Sequence, residues 1–225
     1  VRFAVLLATV GVAQVAAGIS LGWIGALLVW SGAACLVVAA GYAGVGARVI
    51  GKRPDGSLPA LRVIALLPYL LGTWIVWFFA RRRGSECGQR IVDGLWLGRR
   101  PLRGELPDEI VAVVDLTSEF PRSPDVGTRA YCCHPLLDAT APDVDALTRL
   151  VDWIDAQPGP VYVHCAAGHG RSAAVVAAAL IARGRARDAA SAMAVVRAAR
   201  RRARLNGPQS RSLDAFARTL REARG

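Results

Sequence analysis

Val161-Tyr-Val-His-Cys-Ala-Ala-Gly-His-Gly-Arg-Ser-Ala-Ala-Val-Val176 reads as a short apolar strand, a glycine-bearing loop and a helix in direct succession. Cys165 and Arg171 stand with five residues between them, and the hydroxyl of Ser172 follows at once. A helix starting near Arg171 points its free N–H groups and dipole back into the loop, where they favour negative charge. The same field stabilises a thiolate at Cys165, lowering a cysteine pKa from about 8.5 into a range of roughly 3.5 to 7.5. Gly168 and Gly170 let the backbone curl with its amides inward, a nest for tetrahedral oxyanions. Arg171 supplies a planar fork that can grip two phosphate oxygens at once. The pattern predicts an anion cradle with a nucleophile at its floor. The bland reading of the same residues is a buried cysteine at a strand end and an arginine that opens a helix.

Outward from this segment, the second part of the chain alternates strand and helix patterns. Strands are predicted over residues 91–97, 111–116, 130–134 and 161–164, and a short helix over 106–110. A helix over 142–156 is predicted with Thr140 as its cap and Asp143 completing a capping box. Further helices are expected over 172–182, 188–204 and 209–222, with Gly184 and Asn206-Gly-Pro208 as stops. This is an α/β domain whose loop lies at a strand's C-terminal end, where such sheets bind ligands.

His164-Cys165-Ala166-Ala167-Gly168-His169-Gly170-Arg171-Ser172 resembles the signature loop of cysteine-dependent protein tyrosine phosphatases, in their dual-specificity branch. The resemblance covers residues 91–220. Within the family the chain looks most like the phosphatidylglycerophosphate phosphatase branch and its bacterial membrane-anchored relatives. That likeness rests on Leu97-Gly-Arg-Arg-Pro-Leu102, Asp138-Ala-Thr-Ala-Pro142 and Val161-Tyr-Val-His-Cys165. Two positions depart from it: Ala166 stands where lipid-directed members often carry a basic residue, and His169 replaces a stronger cation. The resemblance implies a central sheet flanked by helices, with residues 164–171 binding phosphate and Cys165 attacking phosphorus.

That chemistry needs a proton donor, and Asp138, Asp143 and Asp145 lie on or near one loop. Capping accounts for Asp143, and Asp145 falls inside the helix. Asp138 remains, at the place where the resemblance carries its general acid; otherwise it is a solvated loop aspartate. Ser172 is expected to donate to the Cys165 sulfur, or alternatively to satisfy helix N-terminal donors. His164 is expected to shape the loop and tune the thiolate. No cofactor is implied, and no metal: His134 and His169 lack ligand partners at recognisable spacing.

The apolar surplus of the chain is concentrated at its front. From residue 3 to residue 47 there is no charged side chain. That is too long for one span or for a signal-peptide core, and it fits two helices of about 20 residues turning near Gly18 to Gly22. The opening Val1 fits a non-methionine start codon read literally or a shortened chain. A polar link over 48–58 precedes a third apolar stretch, 63–80, which ends in Arg81-Arg82-Arg83. If it spans, basic residues flank both faces of the membrane. If Pro68 and Gly72 break it into a re-entrant segment, every basic cluster lies with the catalytic part on the cytoplasmic side. The second reading is preferred because it reconciles the charges and keeps Cys165 in a reducing compartment.

The expected organisation is therefore a membrane region over 1–84 and a catalytic domain over 85–225, the soluble part beginning near Ser85, in a multi-pass protein of a bacterial plasma membrane. Cys35 falls in a span, and Cys87, Cys132 and Cys133 show no disulfide or zinc spacing. Cys132 and Cys133 read as strand residues, with a regulatory bond to oxidised Cys165 as the alternative. The net charge is +11 with a single lysine, Lys52. Arg197, Arg200, Arg201, Arg202 and Arg204 are placed along one helix, which either lies on anionic lipid or is a solvated face of a coding-biased chain. Nucleic-acid binding has charge but no motif behind it. The expected activity is membrane-anchored hydrolysis of a phosphomonoester through a cysteinyl phosphate. The expected substrate is a phosphoprotein or a phospholipid headgroup such as phosphatidylglycerophosphate. The competing class is a catalytically silent module that binds phosphorylated partners at the membrane.

Overall fold

The computed structural model describes residues 2–82 and 86–223; Val1, Arg83, Ser85 and the expected boundary at 84–85 lie outside the described residues. The chain divides into two compact units.

One unit holds helices α1 (Arg2–Ser20), α2 (Ala26–Ala40) and α3 (Ala60–Arg82), with the stretch Ser118–Pro121. The first reversal, between Ser20 and Ala26, overlaps the predicted Gly18 to Gly22, with Gly18 itself spent on packing. A Cβ on Gly18 would come within 2.7 Å of the Gly25 carbonyl oxygen, and one on Gly25 within 1.9 Å of the Gly18 oxygen. Gly11 and Gly32 face each other in the same way. Small residues thus let the backbones of α1 and α2 touch. The turn itself uses Gly22 at φ 61°.

Pro68 and Gly72 do not break α3, contrary to the preferred sequence reading; the helix runs unbroken for 23 residues. Proline removes one N–H and crowds one carbonyl, a local cost that the other intrahelical bonds of a long apolar helix outweigh. Three helical segments, Arg2–Ser20, Gly22–Val49 and Ala60–Arg82, are long and apolar enough to cross a membrane. They expose large apolar side chains such as Trp23, Leu27, Leu61 and Val76. Within this unit Trp74 Nε1 donates to the Glu119 carbonyl at 2.8 Å and Trp77 packs on Phe120.

The second unit is an α/β layer structure, as predicted. Its strands are β1 (Gly88–Val92), β2 (Leu95–Arg99), β3 (Ala112–Thr117), β4 (Ala130–Leu136) and β5 (Val161–Cys165). They form one sheet in the order β1-β2-β5-β3-β4, antiparallel only between β1 and β2. The single predicted strand over 91–97 is a hairpin. Asp93-Gly94, with Gly94 at φ 75°, turns the chain between its arms. The predicted helix over 106–110 is absent. Asp125 instead accepts the amides of Gly104, Glu105 and Leu106, holding this stretch as a turn.

Four helices complete the unit: α4 (Val144–Asp155), α5 (Arg171–Ala182), α6 (Ala189–Ala199) and α7 (Gly207–Glu222). The N-cap of α4 is Asp143, whose Oδ1 accepts from Ala146 N at 2.7 Å; Thr140 bonds back to Leu137 O and caps nothing. Helix α6 stops at Ala199, five residues short of the prediction, so the arginines from 200 to 204 do not form one helical face. The cause is Arg200, which turns inward and is buried.

β5 lies at the centre of the sheet, and all five of its residues are buried. Helix α5 follows directly and is buried from Arg171 to Ile181. Its alanines allow close approach to the sheet, and Leu97, Val114, Val163, Val175 and Leu180 belong to one core cluster with it. Neither end of the intervening loop can move without disturbing that core.

Candidate active site

The loop between β5 and α5 curls around the Cys165 sulfur. Gly168 N donates to Sγ at 3.2 Å and Ser172 Oγ donates to it at 3.3 Å. Gly168 has φ 70°, and a Cβ there would meet the backbone of Gly98 at 2.3 Å, so glycine is required twice over.

The loop carbonyls are all turned outward onto donors. Ala166 O accepts from Arg100 N at 3.2 Å, and Ala167 O from Arg200 Nη2 at 3.3 Å. Gly168 O accepts from Arg200 Nε at 2.7 Å, and His169 O from Arg204 N at 2.9 Å. A peptide whose carbonyl points out turns its N–H in. Satisfying the carbonyls of residues 166–169 from behind therefore turns the amides of residues 167–170 toward the sulfur, where Gly168 N already donates and an oxyanion can be met. Arg200 is fixed in turn by Gln89, whose Oε1 accepts from Nη1.

Arg171 is 1% exposed, and its guanidinium is aimed by backbone. Nη1 donates to Leu136 O at 2.8 Å and Leu116 O at 3.4 Å, and Nη2 lies 3.2 Å from Asp138 Oδ1. Asp138 is carried at the end of the chain leaving β4, with its side chain 75% exposed. The structure thus brings Cys165, Arg171, Ser172 and Asp138 together. Asp143 is occupied as the α4 cap, and Asp145 sits in the first turn of that helix.

Behind the loop, His164 is fully buried, with Nε2 3.8 Å from Asp115 Oδ1 and Nδ1 3.4 Å from Cys165 O. Asp115 also accepts from Thr117 N and Oγ1 and from the Tyr131 hydroxyl. A buried carboxylate is tolerable because it has these donors. Sequence reasoning missed Asp115, Arg100 and Arg200. A lone carboxylate inside the apolar run 111–116 was the available signal for the first; nothing separates Arg200 from its neighbours in an arginine-rich stretch.

Burial pushes the Cys165 thiol up, but the Arg171 charge, the Ser172 hydroxyl and the amides of Ser172 and Gly168 pull it down further, leaving it below its ordinary value. Burial raises the Cys87 and Cys132 thiols to about 11, which makes them inert near neutral pH. His169 is held below its usual value by burial and then by Arg200, Arg202 and Arg204, so near neutral pH its ring is uncharged. Among the described residues no group of three or more His, Cys, Asp and Glu is placed to hold a metal.

The depressed Cys165 value has a sign that can be tested. In the window between that value and the ordinary thiol value, the unfolded chain binds the extra proton. The thiolate's contribution to stability is therefore complete above the ordinary value and is lost as pH falls through the depressed one. Ser172→Ala removes one of the lowering hydrogen bonds. The pH midpoint for alkylation of Cys165 by iodoacetamide is expected to move upward; an unchanged midpoint would show that the hydroxyl does not act on the sulfur.

Comparison with known proteins agrees with this geometry. The family profile described as dual specificity phosphatase, catalytic domain, matches residues 107–219. Tyrosine-protein phosphatase 2 of Schizosaccharomyces pombe is 36% identical over 59 residues, which are 25% of this chain and 8% of that longer protein. A crystal structure of PTPMT1 in complex with PI(5)P superposes with a TM-score of 0.56 at 21% identity, covering 62% of this chain and 100% of the other. Tk-PTP in its active form gives a TM-score of 0.54 at 27% identity, covering 59% and 97%. The family match spans half the chain and contains the cysteine loop, the arginine and the loop after β4: this chain belongs to the dual specificity phosphatase catalytic-domain family, whose chemistry is cysteine-based phosphate ester hydrolysis.

Proposed function

We propose that the chain is a membrane-anchored phosphomonoesterase acting on a phospholipid headgroup, with Cys165 as nucleophile and Asp138 as general acid and base. The observation that carries the chemistry is the 3.2 Å approach of Asp138 Oδ1 to Arg171 Nη2, which puts the loop after β4 beside the guanidinium that serves the cysteine loop.

The Cys165 thiolate attacks phosphorus and forms an S–P bond while the bond to the leaving oxygen breaks. Asp138 transfers its proton to that oxygen. The Asp138 carboxylate then takes a proton from water, whose oxygen bonds to phosphorus as the S–P bond breaks. Ser172 stabilises the departing thiolate through its hydrogen bond to Sγ. The Arg171 fork and the inward amides of residues 167–170 hold the three equatorial oxygens as charge shifts in the transition state. His164 and Asp115 hold the start of the loop.

The lipid reading is supported by three apolar helices of spanning length in the same chain and by the fold shared with the PTPMT1 complex. Anchoring holds the catalytic unit near headgroups and raises their effective concentration. In this reading the catalytic unit works on the cytoplasmic side, where its four free cysteines, Cys87, Cys132, Cys133 and Cys165, stay reduced. A second reading, a phosphotyrosine protein as substrate, is favoured by the stretch similar to tyrosine-protein phosphatase 2.

Phosphate release by the detergent-solubilised full chain on phosphatidylglycerophosphate, on a phosphoinositide and on a phosphotyrosine peptide separates the two. A preference of about tenfold or more in kcat/KM for either lipid is expected; preference for the peptide would overturn the lipid assignment. Asp138→Asn is expected to lower kcat by about 100-fold to 1,000-fold on a lipid phosphate, whose alkoxide leaves poorly. On 4-nitrophenyl phosphate the loss is expected to be far smaller. Equal losses on both would remove Asp138 from the proton-transfer step.

A further inference from the structure

The side chain of Asp138 meets Arg171 but is 75% exposed, so its placement depends also on the backbone that follows it. That backbone is unusual. Ala139 has φ 59°, the only positive φ on a non-glycine residue among the described residues. An alanine stays in this sparsely populated region only when its surroundings hold it there.

Three side chains from the first turns of α7 do so. Asn206 Nδ2 donates to Ala139 O at 2.7 Å, Gln209 Nε2 donates to Thr140 O at 3.0 Å, and Ser212 Oγ donates to Pro142 O. Asn206 and Gln209 also cap the helix reciprocally: Asn206 Oδ1 accepts from Gln209 N at 3.0 Å, and Gln209 Oε1 accepts from Asn206 N at 3.1 Å. Each amide therefore spends its oxygen on the helix and its NH2 on the loop. Aspartate or serine caps a helix about as well as asparagine, so capping alone does not explain an amide here. The same turn also meets the cysteine loop. A Cβ on Gly170 would fall 2.8 Å from Gln209 Oε1, and Arg204 N bonds to His169 O.

We propose that Asn206, with Ser212 in support, is a positioning residue for proton transfer: it clamps residues 139–142 to α7 and so sets Asp138 at its working distance from the cysteine loop. The proposal rests on the assignment of Asp138 as the acid. The clamp acts through the backbone and touches neither substrate nor the reacting atoms.

Asn206→Ser keeps a neutral cap and removes the donor to Ala139 O. The expected result is about a tenfold loss of kcat on phenyl phosphate, with less than about a twofold loss on 4-nitrophenyl phosphate. Tungstate affinity, the alkylation rate of Cys165 and the melting temperature stay unchanged. Ser212→Ala, which leaves the cap intact, is expected to show the same leaving-group pattern with a loss of about threefold. In an Asp138→Asn background neither change adds to the loss on phenyl phosphate.

Losses equal across leaving groups, or persisting in the Asp138→Asn background, would make the role merely structural and overturn the proposal. So would wild-type kinetics in both variants. The failures are distinguishable. If Asp138→Asn shows leaving-group dependence and Asn206→Ser does not, only the clamp is wrong. If Asp138→Asn shows none, the acid assignment falls and the clamp with it.

Discussion

Cys165→Ser is expected to abolish phosphate release, with a loss of about 10^5-fold or more, while the protein still binds tungstate at least as tightly as the parent. The loss is large because a serine hydroxyl at this place has no base to ionise it. The field of Arg171, Ser172 and the loop amides lowers a thiol below its ordinary value but leaves an alcohol protonated. Binding survives because the cradle is made by parts the substitution does not touch. The carbonyls of residues 166–169 remain tied to Arg100, Arg200 and Arg204, so the amides still face inward. Removing the thiolate also removes a negative charge from the floor of an anion site. Phosphate release in single-turnover and steady-state assays, with tungstate titration by calorimetry, tests both halves. Turnover at about a hundredth of the parent rate or above would take Cys165 out of the bond-making step. Loss of turnover together with loss of tungstate binding would point to a collapsed loop.

Arg171→Lys is expected to cost about 1,000-fold in kcat/KM although the charge is kept. Lysine offers a point charge on a flexible stem, whereas the guanidinium presents a planar fork held by two backbone carbonyls. Shape matters most as the equatorial oxygens spread in the transition state, so kcat falls more than KM rises. The same change leaves Leu116 O and Leu136 O short of a buried donor and is expected to destabilise the fold by about 1 to 3 kcal/mol. A chain that melted a few degrees lower yet kept its kcat would show that Arg171 serves only the fold. A loss of kcat at temperatures well below the melting point places it in the reaction.

Much of this could be read from local order. The run from Val161 to Val176 carries its own strand, loop and helix signals, so the spacing of the cysteine and the arginine across a glycine-bearing loop follows from neighbours a few residues apart. The apolar front of the chain and the α/β class are read by the same short-range periodicities. Errors arose where a local signal had a competitor. Thr140 and Asp143 are both acceptable caps, and only the path of the chain after β4 selects Asp143. Pro68 is a helix breaker by local rules, but the remaining backbone bonds of α3 outweigh it.

The tertiary structure alone decided which distant groups serve the loop. Arg200 looks like one more surface arginine in a basic run. It is buried because the sheet brings Gln89 and the Ala167 and Gly168 carbonyls to it from residues 111, 33 and 32 positions away. Asn206 and Gln209 read as an ordinary helix start, and their grip on Ala139 and Thr140 exists only once α7 lies against the chain leaving β4. Asp138 stands out in the sequence as a loop carboxylate, but its distance from Arg171 depends on the packing of β4 and α5 around the core and on the hold of α7 on the chain that follows it. Short-range spacing fixes which chemistry a residue can perform. Hydrogen bonds between segments far apart in sequence fix where it performs it, and those depend on the whole sheet being assembled.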